Sequence, residues 1–283
     1  MNYKNFTIKN FRCFSEKQSL LFAQPIRDKI GSGVTYIVGA NNSGKTTLIE
    51  AIWMRKDRKI KSSENKNDGS EFCLYDSNGT LKRKASLVRS GSYTLMESPT
   101  IDKQEELFEI VTSRRHWDST TNDTGPSWGF ISQSIWGEEN PRKRQDIRMA
   151  AILKDIEKDN DRYDRFTKLV QRIIPEFTRW AVAYEDQEYI EYTSGDGVKH
   201  RTDFLGDGVI SVIRILAHIF ENKTHGLIID EPELSLHPLA QKKLIKLIAE
   251  YAQNRQIILS THSPYFVSWE YIKNGAVLID ICQ

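Results

Sequence analysis

The sequence predicts an α/β protein with a mostly parallel sheet, an N-terminal antiparallel β part and a mixed α+β insertion. Apolar strands alternate with amphipathic helices in the last third of the chain, which is typical of a parallel sheet covered by helices. These elements are strands at 227–229 and 256–260 and helices at 208–220 and 239–251. Upstream, a strand at 34–38 leads into a helical pattern at 46–53, and residues 5–22 alternate as a β-hairpin does.

The middle of the chain mixes several patterns. Residues 54–70 are polar and predict a loop, whereas residues 71–95 alternate around Ser77–Gly79 and predict strands. Residues 142–178 predict mainly helix, ended or kinked by Pro175. We therefore divide the chain into an N-terminal lobe, an insertion that also holds a hairpin at 180–201, and a C-terminal lobe. Their bounds are 1–53, 54–203 and 204–283.

The composition fits an ordinary globular protein of one or two domains, with 283 residues, 39% hydrophobic and 28% charged. Its 40 basic and 38 acidic residues leave a net charge of +2, so the whole-chain charge does not favour a nucleic-acid partner. Basic runs at 55–61 and 141–148 keep a local contact with nucleic acid open, although such runs are usually solvated faces.

The cysteines and the apolar segments indicate the compartment. Cys13, Cys73 and Cys282 are far apart and form no C-x-x-C pair, so neither a disulfide framework nor a zinc site is indicated. This usage favours a reducing cytoplasm. The longest apolar stretch, at 209–220, is too short and too charged to span a bilayer, and residues 1–14 hold no signal-peptide core. We expect a cytoplasmic protein with no membrane partner.

A glycine-rich turn between a strand and a helix gives the strongest site prediction. Residues 39–46 match the P-loop pattern G-x-x-x-x-G-K-[ST]. Such a turn directs backbone N–H groups and a helix N-terminus at a polyphosphate. Lys45 is expected to contact the β- and γ-phosphates, and the Thr46 hydroxyl to bind Mg²⁺. The predicted nucleotide-binding residues of this loop are Gly39, Asn41, Asn42, Ser43, Gly44, Lys45, Thr46 and Thr47.

A second candidate site follows the strand at 227–229, which ends in Asp230 and Glu231. Buried carboxylates need a partner or a cation, so an apolar strand that ends in two acids suggests a function. Behind a P-loop, Asp230 is expected to hold Mg²⁺ through water. Glu231 is expected to be the general base that polarises the attacking water.

Two further features gain weight from this context. His262 follows the strand at 256–260. A lone histidine is more often structural than functional. However, ligands of open α/β sheets bind at the carboxyl ends of the strands, which makes His262 a candidate site residue. Gly206 and Gly208 flank Asp207 at the start of a predicted helix. This segment fits either a helix cap at Asp207 or a second phosphate-binding surface. Polar clusters at three strand ends should converge on one site.

The order of these motifs resembles that of the ATP-binding heads of the ABC superfamily, in the branch of the SMC, RecF and overcoming-lysogenization-defect (OLD) proteins. The opening Ile8–Phe14 is similar to the I-x-N-F-R-x-F start of that branch. The stretch DEPELSLHP, Asp230–Pro238, resembles OLD-type ATPases, including the ATPase subunits of the PARIS, Septu and Gabija anti-phage systems. Ser113–Arg115 is similar to an arginine-containing segment of those proteins. The resemblance covers residues 1–53 and 204–275, with scattered similarity between.

The resemblance implies a P-loop NTPase fold of ABC-ATPase head type, with ATP and Mg²⁺ as cofactors. It makes His262 the switch histidine that senses the γ-phosphate and adds Arg12 to the nucleotide-binding residues. Leu205–Gly208, with Gly206 and Gly208, takes the place of the signature loop that binds the partner's ATP. Ser235–His237 takes the place of the D-loop.

The sequence departs from the family pattern at three places. Gly206 stands where the signature serine is expected, and His237 where transporters have aspartate. Gln133 is the candidate for the Q-loop glutamine, with no clear motif around it. These departures concern activation by the partner head rather than nucleotide binding.

We expect a Mg²⁺-dependent ATPase that acts as a sensor and regulator in anti-phage defence. The resemblance implies a homodimer or higher homo-oligomer formed through ATP and a separate effector protein, such as a nuclease. The alternative is a DNA repair or recombination ATPase of the RecF/SMC type that binds DNA; a membrane transporter subunit fits the motifs least. Outside the ATPase motifs the histidines show no metal-binding spacing, and the chain is too short to add the Toprim nuclease domain of single-chain relatives. We therefore expect no nuclease activity of its own.

Overall fold

The structure, a computed structural model, describes residues 2–53, 59–61, 69–90, 93–97, 108–112, 141–184, 188–201, 206–221 and 226–281. Its strands are β1 (Tyr3–Lys9), β2 (Gln18–Leu21), β3 (Val34–Val38), β4 (Lys59–Lys61), β5 (Ser70–Asp76), β6 (Leu81–Ser90), β7 (Tyr93–Glu97), β8 (Phe108–Thr112), β9 (Arg179–Tyr184), β10 (Glu188–Thr193), β11 (Lys199–Arg201), β12 (Gly226–Asp230), β13 (Gln256–Ser260) and β14 (Val277–Asp280). Its helices are α1 (Lys45–Trp53), α2 (Pro141–Glu157), α3 (Asn160–Gln171), α4 (Asp207–Glu221), α5 (Pro238–Ala252) and α6 (Trp269–Asn274).

A parallel sheet in the order β14-β3-β13-β12-β8 forms the centre of the structure. The strands β3, β12 and β13 are rich in β-branched residues and are buried along their lengths, as expected for a sheet covered on both faces. The predicted α/β class with a mostly parallel sheet is confirmed.

Alternation along the strands divides the apolar side chains between two cores. Ile37, Ile228 and Ile258 face α1 and the antiparallel sheet that contains β1 and β5. Their neighbours in sequence face the opposite core, which contains α4, α5, α2 and α3; these neighbours are Tyr36, Leu227, Ile229, Ile257 and Leu259. The parallel sheet therefore lies between two apolar layers that hold it in place.

The antiparallel part has the order β2-β1-β5-β6-β7-β4, and a smaller sheet has the order β11-β10-β9. The buried Gln256 amide links the first of these sheets to β13, because it accepts from Tyr3 N at 2.6 Å and donates to the carbonyls of Tyr3 and Ala23. The predicted hairpins at the N-terminus and around Ser194–Gly197 are both present.

Some local predictions differ from the structure. Residues 59–61 form β4, although the polar stretch 54–70 predicts a loop, because pairing with β7 supplies the hydrogen bonds. The helix α3 ends at Gln171, before Pro175, with Arg172 as its C-cap. β8 joins the edge of the parallel sheet and β5–β7 join the antiparallel sheet, so residues within 54–203 contribute to both sheets. The three-part division of the chain therefore stays a proposal.

Candidate functional site

The carboxyl edge of the parallel sheet brings the sequence motifs together. Asp230 is opposite Ser260 on β13, and Ser260 is opposite Ile37 on β3. Neighbouring strands are about 4.8 Å apart, so the strand ends before the P-loop and at Asp230 are roughly 10 Å apart. The strand that leads to His262 lies between them. The segments after β3, β12 and β13 therefore leave the sheet at the same edge, where ligands of open α/β sheets bind.

The turn after β3 has the backbone that its glycines allow. Gly39 has φ of 152° and Gly44 of 106°, in the region that favours glycine. A Cβ atom on Gly39 would lie 2.6 Å from Ser43 Oγ and one on Gly44 would lie 2.7 Å from Cys13 Sγ. Asn42 also has positive φ, at 65°. The tight path of the turn therefore depends on the absence of side chains at Gly39 and Gly44.

The Lys45 side chain is buried inside this loop and bonds to its backbone. Its side chain is 5% exposed, and its Nζ donates to the carbonyls of Gly39 and Ala40, both at 2.8 Å. The ammonium therefore lies inside the ring of backbone that a polyphosphate would meet. Asn41 and Asn42 are exposed on the outside of the turn, and Ser43 is buried beneath it.

The first turn of α1 follows directly. Thr46 is exposed and Thr47 half-buried, so the Thr46 hydroxyl is accessible at the N-terminus of the helix. Helix N-termini favour anions because their first N–H groups have no partner within the helix. Residues 39–47 thus form a tight turn that leads into an accessible helix N-terminus.

The acidic pair lies at the end of β12. Asp230 and Glu231 are 7% and 6% exposed. Glu231 has φ of 48°, and its N–H donates to the Ser260 carbonyl at 2.9 Å, which ties the start of the next loop to β13. The hydroxyl of Thr46 and the carboxylate of Asp230 are hard oxygen ligands of the type that Mg²⁺ prefers, usually one or two beside water and phosphate. The residues present therefore fit Mg²⁺.

His262 has a buried carboxylate beside it that the sequence reasoning missed. Glu233 Oε1 accepts from the His262 backbone N–H at 2.8 Å and lies 3.1 Å from ring Nδ1. The Glu233 side chain is 4% exposed and that of His262 is 44% exposed. In the sequence, Glu233 has no evident role of its own within the acidic motif. The signal that could have identified it is its position two residues after Glu231, as a further carboxylate in the segment that turns back towards the sheet.

Arg12 and the glycines before α4 have different surroundings. Arg12 NH1 lies 2.6 Å from Glu50 Oε2 on α1, and its guanidinium covers the Phe11 ring at 5.0 Å. Gly206 is exposed, whereas Gly208 is buried, with its Cβ position 2.4 Å from the Ser235 carbonyl oxygen. A contact of Arg12 or Gly206 with nucleotide therefore stays a proposal.

Some sequence predictions fall on residues that the structure does not describe. They are Leu205, Ser113–Arg115, Gln133 and Cys282. Within the described ranges, no group of three or more His, Cys, Asp and Glu side chains is placed to hold a metal ion. In the same ranges, every helix is too short or too polar to cross a membrane.

Two family models match the chain. One, described as "AAA domain, putative AbiEii toxin, Type IV TA system", matches residues 92–268. The other, described as "AAA ATPase domain", matches residues 1–88. Together they cover both the P-loop and the acidic motif.

Comparison with individual proteins supports the same branch. Endonuclease GajA of Bacillus cereus (strain VD045) is 23% identical over 332 aligned positions, and the OLD nuclease of Thermus scotoductus (strain ATCC 700910 / SA-01) is 44% identical over 72. The alignments cover 93% and 23% of this chain, which spans 56% and 13% of those two proteins.

A solved structure, the SMC head domain from Thermotoga maritima, matches with a TM-score of 0.55 at 15% identity, over 99% of this chain and 94% of that one. These likenesses confirm the P-loop fold of SMC-head type and the resemblance to the SMC, RecF and OLD branch.

Proposed function

This chain belongs to the AAA-domain ATPase family, and from that premise we propose that it binds ATP with Mg²⁺ at residues 39–47 and hydrolyses it. The observation that carries the proposal is the strand register. It places the P-loop, the acidic pair and His262 at one edge of the sheet, with β13 in the middle.

Each residue has a role that fits its position. Lys45, inside the loop, is suited to bind the β- and γ-phosphates through its ammonium group. Thr46 and Asp230 would hold Mg²⁺, which when bound neutralises the charge that develops on the phosphates. Glu231 would accept the proton of the attacking water as general base. His262, with its ring half exposed, would contact the γ-phosphate.

The first experiment removes the two central groups separately. Lys45→Ala should abolish binding of labelled ATP, because the ammonium and its charge are lost. Glu231→Gln should keep ATP affinity but reduce turnover by about 10²–10⁴, the usual contribution of a general base. Unchanged affinity in the first variant, or turnover within a few-fold of wild type in the second, would contradict the assignments.

We further propose that two copies associate when ATP is bound. The support is a glycine-rich entry to α4, exposed at Gly206, in addition to a complete P-loop on the same chain. In the family that the chain resembles, such a segment completes the partner's nucleotide site. Light scattering of the Glu231→Gln variant with and without ATP measures this directly. The same mass in both conditions would exclude association driven by ATP.

For the biological role, we propose regulation of a nuclease effector in anti-phage defence. The support is that the two curated relatives reported above are named as nucleases. The test incubates the purified chain with DNA, RNA, ATP and Mg²⁺ or Mn²⁺. A mock preparation without this chain gives the background. Cleavage above that background, if it is lost in a variant of this chain, would show that the effector activity belongs to this chain.

A further inference from the structure

The loop between β12 and α5 contains a polar side chain without a role in the proposed reaction. Glu233 has a side chain that is 4% exposed, and within the described residues its carboxylate hydrogen-bonds only to His262. Its second oxygen, Oε2, is buried and has no hydrogen-bond partner there. Burying a carboxylate is costly unless a partner stabilises it, and the partner of this carboxylate among the described residues is His262.

The contact fixes the histidine from two directions. The same oxygen, Oε1, receives the His262 backbone N–H at 2.8 Å and lies 3.1 Å from ring Nδ1. A carboxylate can only accept hydrogen bonds, so the ring contact is a hydrogen bond when Nδ1 carries a proton. With Nδ1 engaged, the other ring nitrogen, Nε2, is the one left to meet a ligand.

Neighbouring hydrogen bonds hold the same two segments together. Ser263, the residue after His262, donates through Oγ to the Gln241 amide oxygen at 2.6 Å. Gln241 in turn donates to the Leu236 carbonyl at 2.8 Å. The segment 233–236 is thus tied to the segment 262–263 at two points, and Glu233 is the point that touches the ring.

We propose that Glu233 is a positioning residue that sets the orientation and proton arrangement of His262, so that Nε2 faces the γ-phosphate. Polar partners of a functional histidine commonly set which ring nitrogen carries the proton and how the ring is turned. This inference rests on the proposed ATPase function, because it gives the histidine a phosphate to contact. It adds a residue that neither the P-loop nor the acidic pair requires.

The test is a double-mutant cycle. Glu233→Ala should lower kcat by about tenfold or more, as loss of a histidine's supporting partner does, and change ATP affinity by less than about threefold. In a His262→Ala background the same substitution should change kcat by less than about twofold, because the residue through which Glu233 acts is absent. An equal loss of kcat in both backgrounds would show a merely structural role and overturn the proposal.

Another histidine–glutamate pair in the described part of the chain offers a matched control. His218 Nε2 lies 3.3 Å from Glu109 Oε1, and both side chains are buried. Glu109 is three residues, about 10 Å, before the end of β8 at Thr112. Glu109→Ala should therefore lower stability but leave kcat of the folded protein unchanged. A kcat loss equal to that of Glu233→Ala would attribute the effect to general destabilisation and count against the proposal.

A spectroscopic measurement separates this inference from the ATPase proposal. In protein with ¹⁵N-labelled histidine, the His262 ring signals are assigned by their loss in His262→Ala. Wild type should show the proton on Nδ1, and Glu233→Ala should move it to Nε2 when the ring is neutral. If wild type hydrolyses no ATP, the ATPase proposal fails and this spectrum alone decides the role of Glu233. An identical ring spectrum in both proteins would refute it.

Discussion

Two glycines that are two residues apart should respond in opposite ways to substitution. Gly208 is buried in the first turn of α4, and a Cβ there would lie 2.4 Å from the Ser235 carbonyl oxygen and 3.1 Å from Leu236 Cδ2. The nearest atom is backbone, which cannot rotate away, so Gly208→Ala should cost about 1–3 kcal/mol in overpacking. Alanine regains up to about 1 kcal/mol of helix preference, which leaves a net loss of up to about 2 kcal/mol when that gain is complete.

At Gly206 a Cβ would meet no atom of the described residues within 4 Å. Even Gly206→Arg should therefore change the free energy of unfolding by less than about 0.5 kcal/mol, as is usual for exposed sites. In the Glu231→Gln background, which retains ATP, Gly206→Arg should abolish the ATP-dependent doubling of mass, whereas the matched control Gly206→Ala should preserve it. Gly208→Arg is unsuitable for this purpose because it disturbs the chain's own packing.

Urea unfolding measures the loss of stability in Gly208→Ala, and light scattering measures the loss of ATP-dependent association in Gly206→Arg. If Gly208→Ala is as stable as Gly206→Ala, the close approach to Ser235 is not part of the folded structure in solution. If Gly206→Arg still doubles its mass with ATP, the exposed glycine segment is not at the interface between copies. Either outcome refutes the corresponding step of the reasoning.

Two further predictions concern the attachment of the N-terminal β part. Gln256→Leu should lower the free energy of unfolding by about 2–4 kcal/mol, since three buried hydrogen bonds of about 1 kcal/mol each are lost, although Gln24 still donates to the carbonyls of Tyr3 and Ala23. The control Gln253→Leu loses a single bond to a helix-end carbonyl and should cost under about 1 kcal/mol, so equal losses would contradict the link. Arg12→Met should lower the free energy of unfolding by about 2 kcal/mol, because the charged hydrogen bond to Glu50 is lost. If the variant also binds ATP more weakly at a temperature where it is fully folded, Arg12 contacts the nucleotide as well.

Local patterns in the sequence were sufficient for the elements that carry the site. β3, β12 and β13 are apolar runs, and each is followed by a polar cluster that reads as a motif without knowledge of the fold. Parallel pairing then brings these clusters to one edge, and this could be inferred from the α/β class alone.

The features that were missed depend on contacts between distant segments. β8 is only five residues long, and its place at the sheet edge follows from pairing with β12, more than 100 residues later. Glu233 meets a histidine 29 residues away, and the packing of Gly208 depends on the loop that contains Ser235. No pattern of period 2 or 3.6 records such contacts, so the sequence could name His262 but not the carboxylate that holds it.

These contacts join one short loop, residues 231–236, to β13, to His262 and to the start of α4. Its residues Glu231 and Ser235 have φ of 48° and 61°, conformations that non-glycine residues keep only when their surroundings hold them there. The hydrogen bond of Glu231 N to Ser260 holds the start of the loop, and close packing against Gly208 of α4 holds its middle. Between these two points, Glu233 touches His262. A displacement of α4 by a partner would therefore press on the segment that orients the histidine. We expect contact between two heads to act on hydrolysis through this loop. Gly208→Ala should therefore lower kcat more in the protein that has Glu233 than in the Glu233→Ala variant. An equal loss of kcat in both proteins would show that the loop does not transmit the effect of such a contact.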